Sequence, residues 1–110
     1  MNSPDSYELI VAPAGAPDFL VHNEGDHVGV AVQDVAPGSR RAVYMDSDRS
    51  ADVEVSESVP LGHKVALCDL EGGVEMIEYG VVVARTRGPI LRGQMVHVHN
   101  VQSARWEQSK

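Results

Sequence analysis

Apolar and polar residues alternate with a period of two in short runs broken by Gly, Asp and Pro, the pattern of half-buried strands. Val28, Val30 and Val32 alternate with Gly29, Ala31 and Gln33, and Val53 and Val55 alternate with Asp52 and Glu54. The same criterion predicts strands at Phe19–His22, Ala42–Met45, Lys64–Cys68, Glu75–Tyr79, Val81–Arg85 and Met95–His99. No apolar stripe persists over three helical turns. The expected fold class is therefore all-β, with short strands and less than about one-fifth helix. Residues 1–17 carry Pro4, Pro13, Gly15 and Pro17 without a period and read as an irregular N-terminal arm. Residues 18–106 form the folded domain and 107–110 a C-terminal tail.

A short internal echo punctuates the strands. AVQDVAPG ends at Gly38, ALCDLEGG at Gly73, and a weaker copy, GPILRG, at Gly93. Each reads as a strand, one tight turn and a strand. Asp34 and Asp69 are expected to accept hydrogen bonds from amides of the turns they begin, and the terminal glycines to take the left-handed conformation that closes them.

Composition narrows the class of partner. The chain of 110 residues suits one domain, and its aromatic content of 5% beside recurrent Val agrees with strands over helices. A formal charge of −7 repels phosphate backbones and anionic lipid heads, so neither nucleic acid nor a membrane is an expected partner. The charge is uneven: residues 1–84 hold fifteen acids and four bases, whereas residues 85–110 hold one acid and five bases. An anionic ligand should approach the later part, although a basic tail on an acidic domain is also ordinary solvated surface. Cys68 is the single cysteine, which excludes an intrachain disulfide and a cysteine metal cluster. The first eighteen residues contain Asp5, Glu8 and Asp18 but no Lys or Arg, unlike a signal peptide, and no apolar run reaches the ~20 residues of a membrane span. A cytoplasmic protein is expected.

Histidines carry the candidate chemistry. On a strand, His97 and His99 share a face, and two imidazoles suit metal or anion binding or proton transfer. The plainer reading of the same spacing is a solvated polar face. In Gly62–His63–Lys64, His63 and Lys64 stand at the mouth of a strand, where Lys64 can hold a carboxylate and His63 can serve as acid, base or ligand. A surface turn is the bland alternative. The stretch HNEGDHVGV, from His22 to Val30, gathers polar groups around Gly25 in no standard metal-loop spacing, and a turn in which Asp26 bonds its own backbone accounts for it.

Taken in order, DHVGVAVQDVAPG, VPLGHKVALCDLEGG, the pair Tyr79–Gly80 and HVHNVQSAR resemble the SAF-type domain of the altronate and galactarate dehydratase family over about Phe19 to Arg105. The opening LVHNEGDHVGVAV is most similar to the family's sulfo-lyase members, and His27 stands where the sugar-acid enzymes usually carry Asn. The resemblance implies a small β-clip fold and a larger catalytic partner, here in a separate chain and so a hetero-oligomer. It also implies a small organic acid substrate and a link to ferrous iron (Fe2+). Family members eliminate a group β to a carboxylate, water in the sugar-acid enzymes and bisulfite in the sulfo-lyases. His63, Lys64, His97 and His99 are the candidate catalytic residues, with His97 and His99 the metal candidates. Asp26, His27, Tyr79, Gly80 and Asn100 fall on the remaining pattern positions as substrate-binding or supporting residues. Bisulfite elimination by a lyase subunit that is inactive without its partner is the leading expectation. A sugar-acid dehydratase subunit and a non-catalytic binding module are the alternatives.

Overall fold

The computed structural model describes residues 16–97 and 101–103, which form an all-β fold without helix. Apart from residues 16 and 17, the expected arm lies outside the described residues, as does the tail. The strands are β1 (Phe19–Val21), β2 (Val28–Ala31), β3 (Gly38–Tyr44), β4 (Ser50–Val55), β5 (Lys64–Ala66), β6 (Glu75–Glu78), β7 (Val81–Thr86), β8 (Met95–Val96) and β9 (Val101–Ser103). One sheet has the order β4-β3-β1-β2-β5-β8 and the other β6-β7-β9. Neighbours are antiparallel except β1 and β3, which are parallel and in register from Phe19 opposite Ala42 to Val21 opposite Tyr44.

The strands β2 and β5 lie between two apolar cores. Val65 packs with Phe19, Val21, Val53 and Val59, whereas the next residue, Ala66, packs with Val28, Met76 and Ile90. Successive strand side chains point to opposite faces, so the sheet is covered on both sides here. This corrects the simple alternation expected in β2: Val28 and Ala31 are both buried, facing different cores, while Val32 is exposed. In β4, by contrast, Val53 and Val55 point inward and Asp52 and Glu54 outward as the pattern predicts. A fully buried Val, Ile or Phe contributes roughly 1.5–3 kcal/mol over its exposed state, which is how such short strands hold together.

Four corners, rather than three, join the strands. Val35, Val59, Leu70 and Ile90 are each buried and each followed three residues later by a glycine of positive φ, at Gly38, Gly62, Gly73 and Gly93. The corners pair as antiparallel bridges, Val35 with Val59 and Leu70 with Ile90. That pairing also corrects the roles expected of Asp34 and Asp69. Asp34 Oδ1 accepts the amide of Leu61 at 2.9 Å and Asp69 Oδ1 that of Arg92 at 2.8 Å, so each acid holds the partner corner and not its own turn. The strand expected to run through His99 is described only to Val96, and β9, which was not anticipated, pairs with β7.

Candidate functional site

Two neighbouring elements present the polar residues. The corner ending at Gly62 feeds directly into β5, and the His63 amide donates to Pro60 O at 2.9 Å while its carbonyl accepts the Ala31 amide at 2.8 Å. This fixes the backbone and leaves the His63 side chain exposed, with Lys64 following at the strand's start. Opposite stands the β6–β7 hairpin, closed by the pair Glu78 and Val81. Its two turn residues, Tyr79 and Gly80, have φ of 60° and 74°, as a tight right-twisted hairpin requires.

A buried carboxylate holds that unusual turn. Asp26 accepts the amides of Tyr79 at 2.9 Å and Gly80 at 3.0 Å, and also that of Asn23 at 3.2 Å. Beside it, His27 Nδ1 accepts the Ile77 amide at 2.9 Å, its own amide donates to Ile77 O at 2.8 Å, and its carbonyl accepts the Leu67 amide at 2.8 Å. Asp26 and His27 thus tie β6 to the six-stranded sheet. The His22 ring lies 4.1 Å from the Tyr79 ring, centroid to centroid, and braces the turn from the other side.

Between these elements lies a cleft of about 620 Å³ whose lining includes His63, Lys64, Glu78, Tyr79, Arg87 and His97. Among the described residues, two fixed cations and two imidazoles therefore face one carboxylate, in a chain whose net charge is −7. Lys64 Nζ is 3.6 Å from Glu78 Oε1, and the side chains are 38% and 2% exposed. Glu78 Oε2 is buried and makes no hydrogen bond. Burial pushes the Glu78 carboxyl above its usual range, against the pull of Lys64 and His22, and nearby Asp26 adds to the rise. The Tyr79 phenol is raised as well, first by the Glu78 charge and then by burial. On the far wall His97 Nε2 is 3.5 Å from Glu57 Oε1, and Glu57 Oε2 accepts the Met95 amide at 3.0 Å.

The cleft brings His63, Lys64, Tyr79 and His97 together; Gly80 adjoins it, and Asp26 and His27 support it from behind. His99 and Asn100 lie outside the described residues. No group of three or more His, Cys, Asp and Glu placed to hold a metal occurs among the described residues, which include His97 but not the second metal candidate, His99. Glu78, Glu57 and Arg87 were missed from the sequence. For Glu78 a signal existed: it stands two residues after Met76, on the same side of β6, so an inward Met implies an inward carboxylate. For Arg87, which lines the cleft, and Glu57, which stands against His97, the local sequence carries no such signal, because their neighbours come from distant strands.

The sequence that folds into this small all-β domain is matched by a family model. The altronate/galactarate dehydratase SAF domain covers residues 17–104, and the chain belongs to that family. Over 91 residues it is 42% identical to (2R)-sulfolactate sulfo-lyase subunit alpha of Chromohalobacter salexigens, a match spanning 81% of this chain and 97% of that one. It is also 35% identical over 78 residues to an altronate dehydratase of Escherichia coli, covering 71% of this chain but 15% of the relative. With an altronate dehydratase of Bacillus subtilis the identity is 27% over 85 residues, covering 77% of this chain and 16% of that one. Among the described residues no helix is long and apolar enough to cross a membrane.

Proposed function

We propose that this chain is the small subunit of a cytoplasmic lyase that, with a larger catalytic chain in a hetero-oligomer, eliminates bisulfite from (2R)-3-sulfolactate to give pyruvate. The observation that carries this is the 42% identity extending over 97% of a protein named as subunit alpha of a sulfolactate sulfo-lyase. A subunit name implies a further chain. The altronate dehydratases support the same division, because 16% and 15% of their lengths correspond to this domain and the remainder lies beyond it.

The cleft's chemistry suits the reaction. A base removes the proton from the carbon bearing the hydroxyl and carboxylate, that electron pair forms the carbon–carbon double bond, and sulfite leaves the neighbouring carbon. The resulting enol takes a proton at its terminal carbon, gives up its hydroxyl proton and becomes pyruvate. Lys64 and Arg87 hold the substrate's anionic groups and stabilise the negative charge that builds on the carboxylate. His63 and His97, with His99, are the candidate proton carriers. Tyr79 and Gly80 complete the described substrate-facing surface, Asn100 stays a candidate on the family resemblance, and Asp26 and His27 keep the hairpin in place. Ferrous iron belongs to the assembled enzyme in this reading, with His97 and His99 as this chain's candidates to meet it.

The test is co-expression with a dehydratase-like large chain and assay of the purified complex. Sulfite release from (2R)-3-sulfolactate by the complex, and none by the 110-residue chain alone, is expected. Turnover by the small chain alone refutes the division of labour. The 35% identity to an altronate dehydratase favours one second reading, a sugar-acid dehydratase subunit, which loss of water from altronate or galactarate with no sulfite release would select. A complex inactive on both classes of substrate leaves a binding module.

A further inference from the structure

Glu78 is poorly satisfied for a structural ion pair. A buried carboxylate kept for stability has both oxygens bonded, since an unpaired buried polar atom is costly. Here Oε2 has no partner, and the Oε1 to Lys64 Nζ distance of 3.6 Å exceeds the 2.7–2.9 Å usual for a strong charged hydrogen bond. The two members also differ in environment: Glu78 is closed off, at 2% exposure, whereas Lys64 reaches the cleft at 38%. The other titratable or charged groups around Glu78 are His22 just after β1, Asp26 in the loop before β2, Tyr79 in the hairpin turn, whose phenol also interacts with the Glu78 carboxylate, and His63, Arg87 and His97 across the cleft. Asp26 is already committed to three backbone amides. Lys64 is thus the principal charge holding Glu78 ionised, and it is the member that a ligand in the cleft can draw away.

We propose that Lys64 and Glu78 form a proton-linked latch: a small anion that takes the Lys64 ammonium in the cleft is bound together with one proton, which settles on Glu78. The proton comes from solvent and returns to it when the anion leaves. Glu78 is then a positioning residue, which sets how tightly Lys64 holds an anion at a given pH. The latch rests on the reading of the cleft as an anion site, but its test uses no turnover.

In the full chain, carboxyl-carbon NMR of Glu78 and nitrogen NMR of Lys64 are followed against pH in sodium sulfate and in sodium chloride of equal ionic strength. Sulfate is expected to shift the Lys64 Nζ resonance and to raise the Glu78 midpoint by at least about one pH unit, the scale of losing an opposite charge at close range. In Glu78→Gln the Lys64 shift persists, and a pH-stat titration with sulfate records less proton uptake than in the wild-type chain; equal uptake overturns the latch. A Lys64 shift with an unmoved Glu78 midpoint overturns the latch. So does no response at either residue, or an equal response to chloride. Failure of the lyase reading would appear instead as an inactive complex and would leave these titrations unchanged.

Discussion

At the corners, Asp34 and Asp69 each accept a backbone amide from a segment more than twenty residues away, and each stands at the solvent edge with its charge hydrated. In the cleft, Glu78 is buried, faces a side-chain ammonium and keeps one oxygen without a partner. The corner acids fix the path of the chain, since amides cannot move away or titrate. The cleft acid is held by a group that can do both. Acidic residues of one chain thus differ by what they face, and in the proposed reading an anionic ligand perturbs the one held by Lys64.

The comparison breaks most severely at the corners. Gly93 and Gly62 both have positive φ, near 90°, but a Cβ at Gly93 would collide with the Glu54 carbonyl oxygen, whereas at Gly62 it would meet open space. Gly93→Ala should therefore cost about 4 kcal/mol or more, because strain at the backbone adds to the collision. Gly62→Ala should cost about 1 kcal/mol, the left-handed conformation alone. Urea unfolding of the two variants measures the difference, and equal losses would contradict the corner geometry.

Next in size is Asp26→Ala, which removes the acceptor of three amides and leaves the Tyr79 turn unsupported. A loss of about 3 kcal/mol is expected from hydrogen bonds to a buried charged group. A change within about 0.5 kcal/mol, the range of ordinary surface substitutions, would show that the hairpin holds itself.

Glu78→Gln sharpens the contrast with a smaller effect of opposite sign. The folded-state pKa of Glu78 is raised, so its contribution is fully present below the ordinary glutamate value of about 4.3 and is lost as pH rises through the higher folded value. Near pH 8 the neutral amide should be more stable than wild type by about 1 kcal/mol, and the two should converge toward pH 4. Denaturation midpoints across that range supply the check. A variant less stable than wild type at pH 8 would make the pair structural.

Much of the fold was legible because it is local. The alternation at Val53 and Val55 and the glycine-ended turns at Gly38, Gly73 and Gly93 follow from neighbouring residues. The fourth corner, Val59 to Gly62, is not evident from the sequence because Ser58 stands where the stronger copies have their leading Asp. The true partners of Asp34 and Asp69, and the double-sided burial of β2, depend on pairing between distant segments that no local pattern reports. The site followed the same rule. His63, Lys64 and His97 stand out by residue type and Tyr79 by the family resemblance, but that Glu78 closes on Lys64 across fourteen positions emerges only when β6 is brought against the start of β5.

The central claim is that this cleft, within a complex, is where the substrate's charge is held during elimination. Its most direct test is the double variant Lys64→Met, Glu78→Gln, which removes both charges together and leaves no buried carboxylate unpaired. Circular dichroism and gel filtration should show a folded chain that still joins the larger one. Sulfite release from (2R)-3-sulfolactate by that complex should fall by about 100-fold or more in kcat/KM, the scale of losing one group that stabilises developing charge. A folded, assembled double variant that retains wild-type kcat/KM would contradict the account and place the chemistry elsewhere.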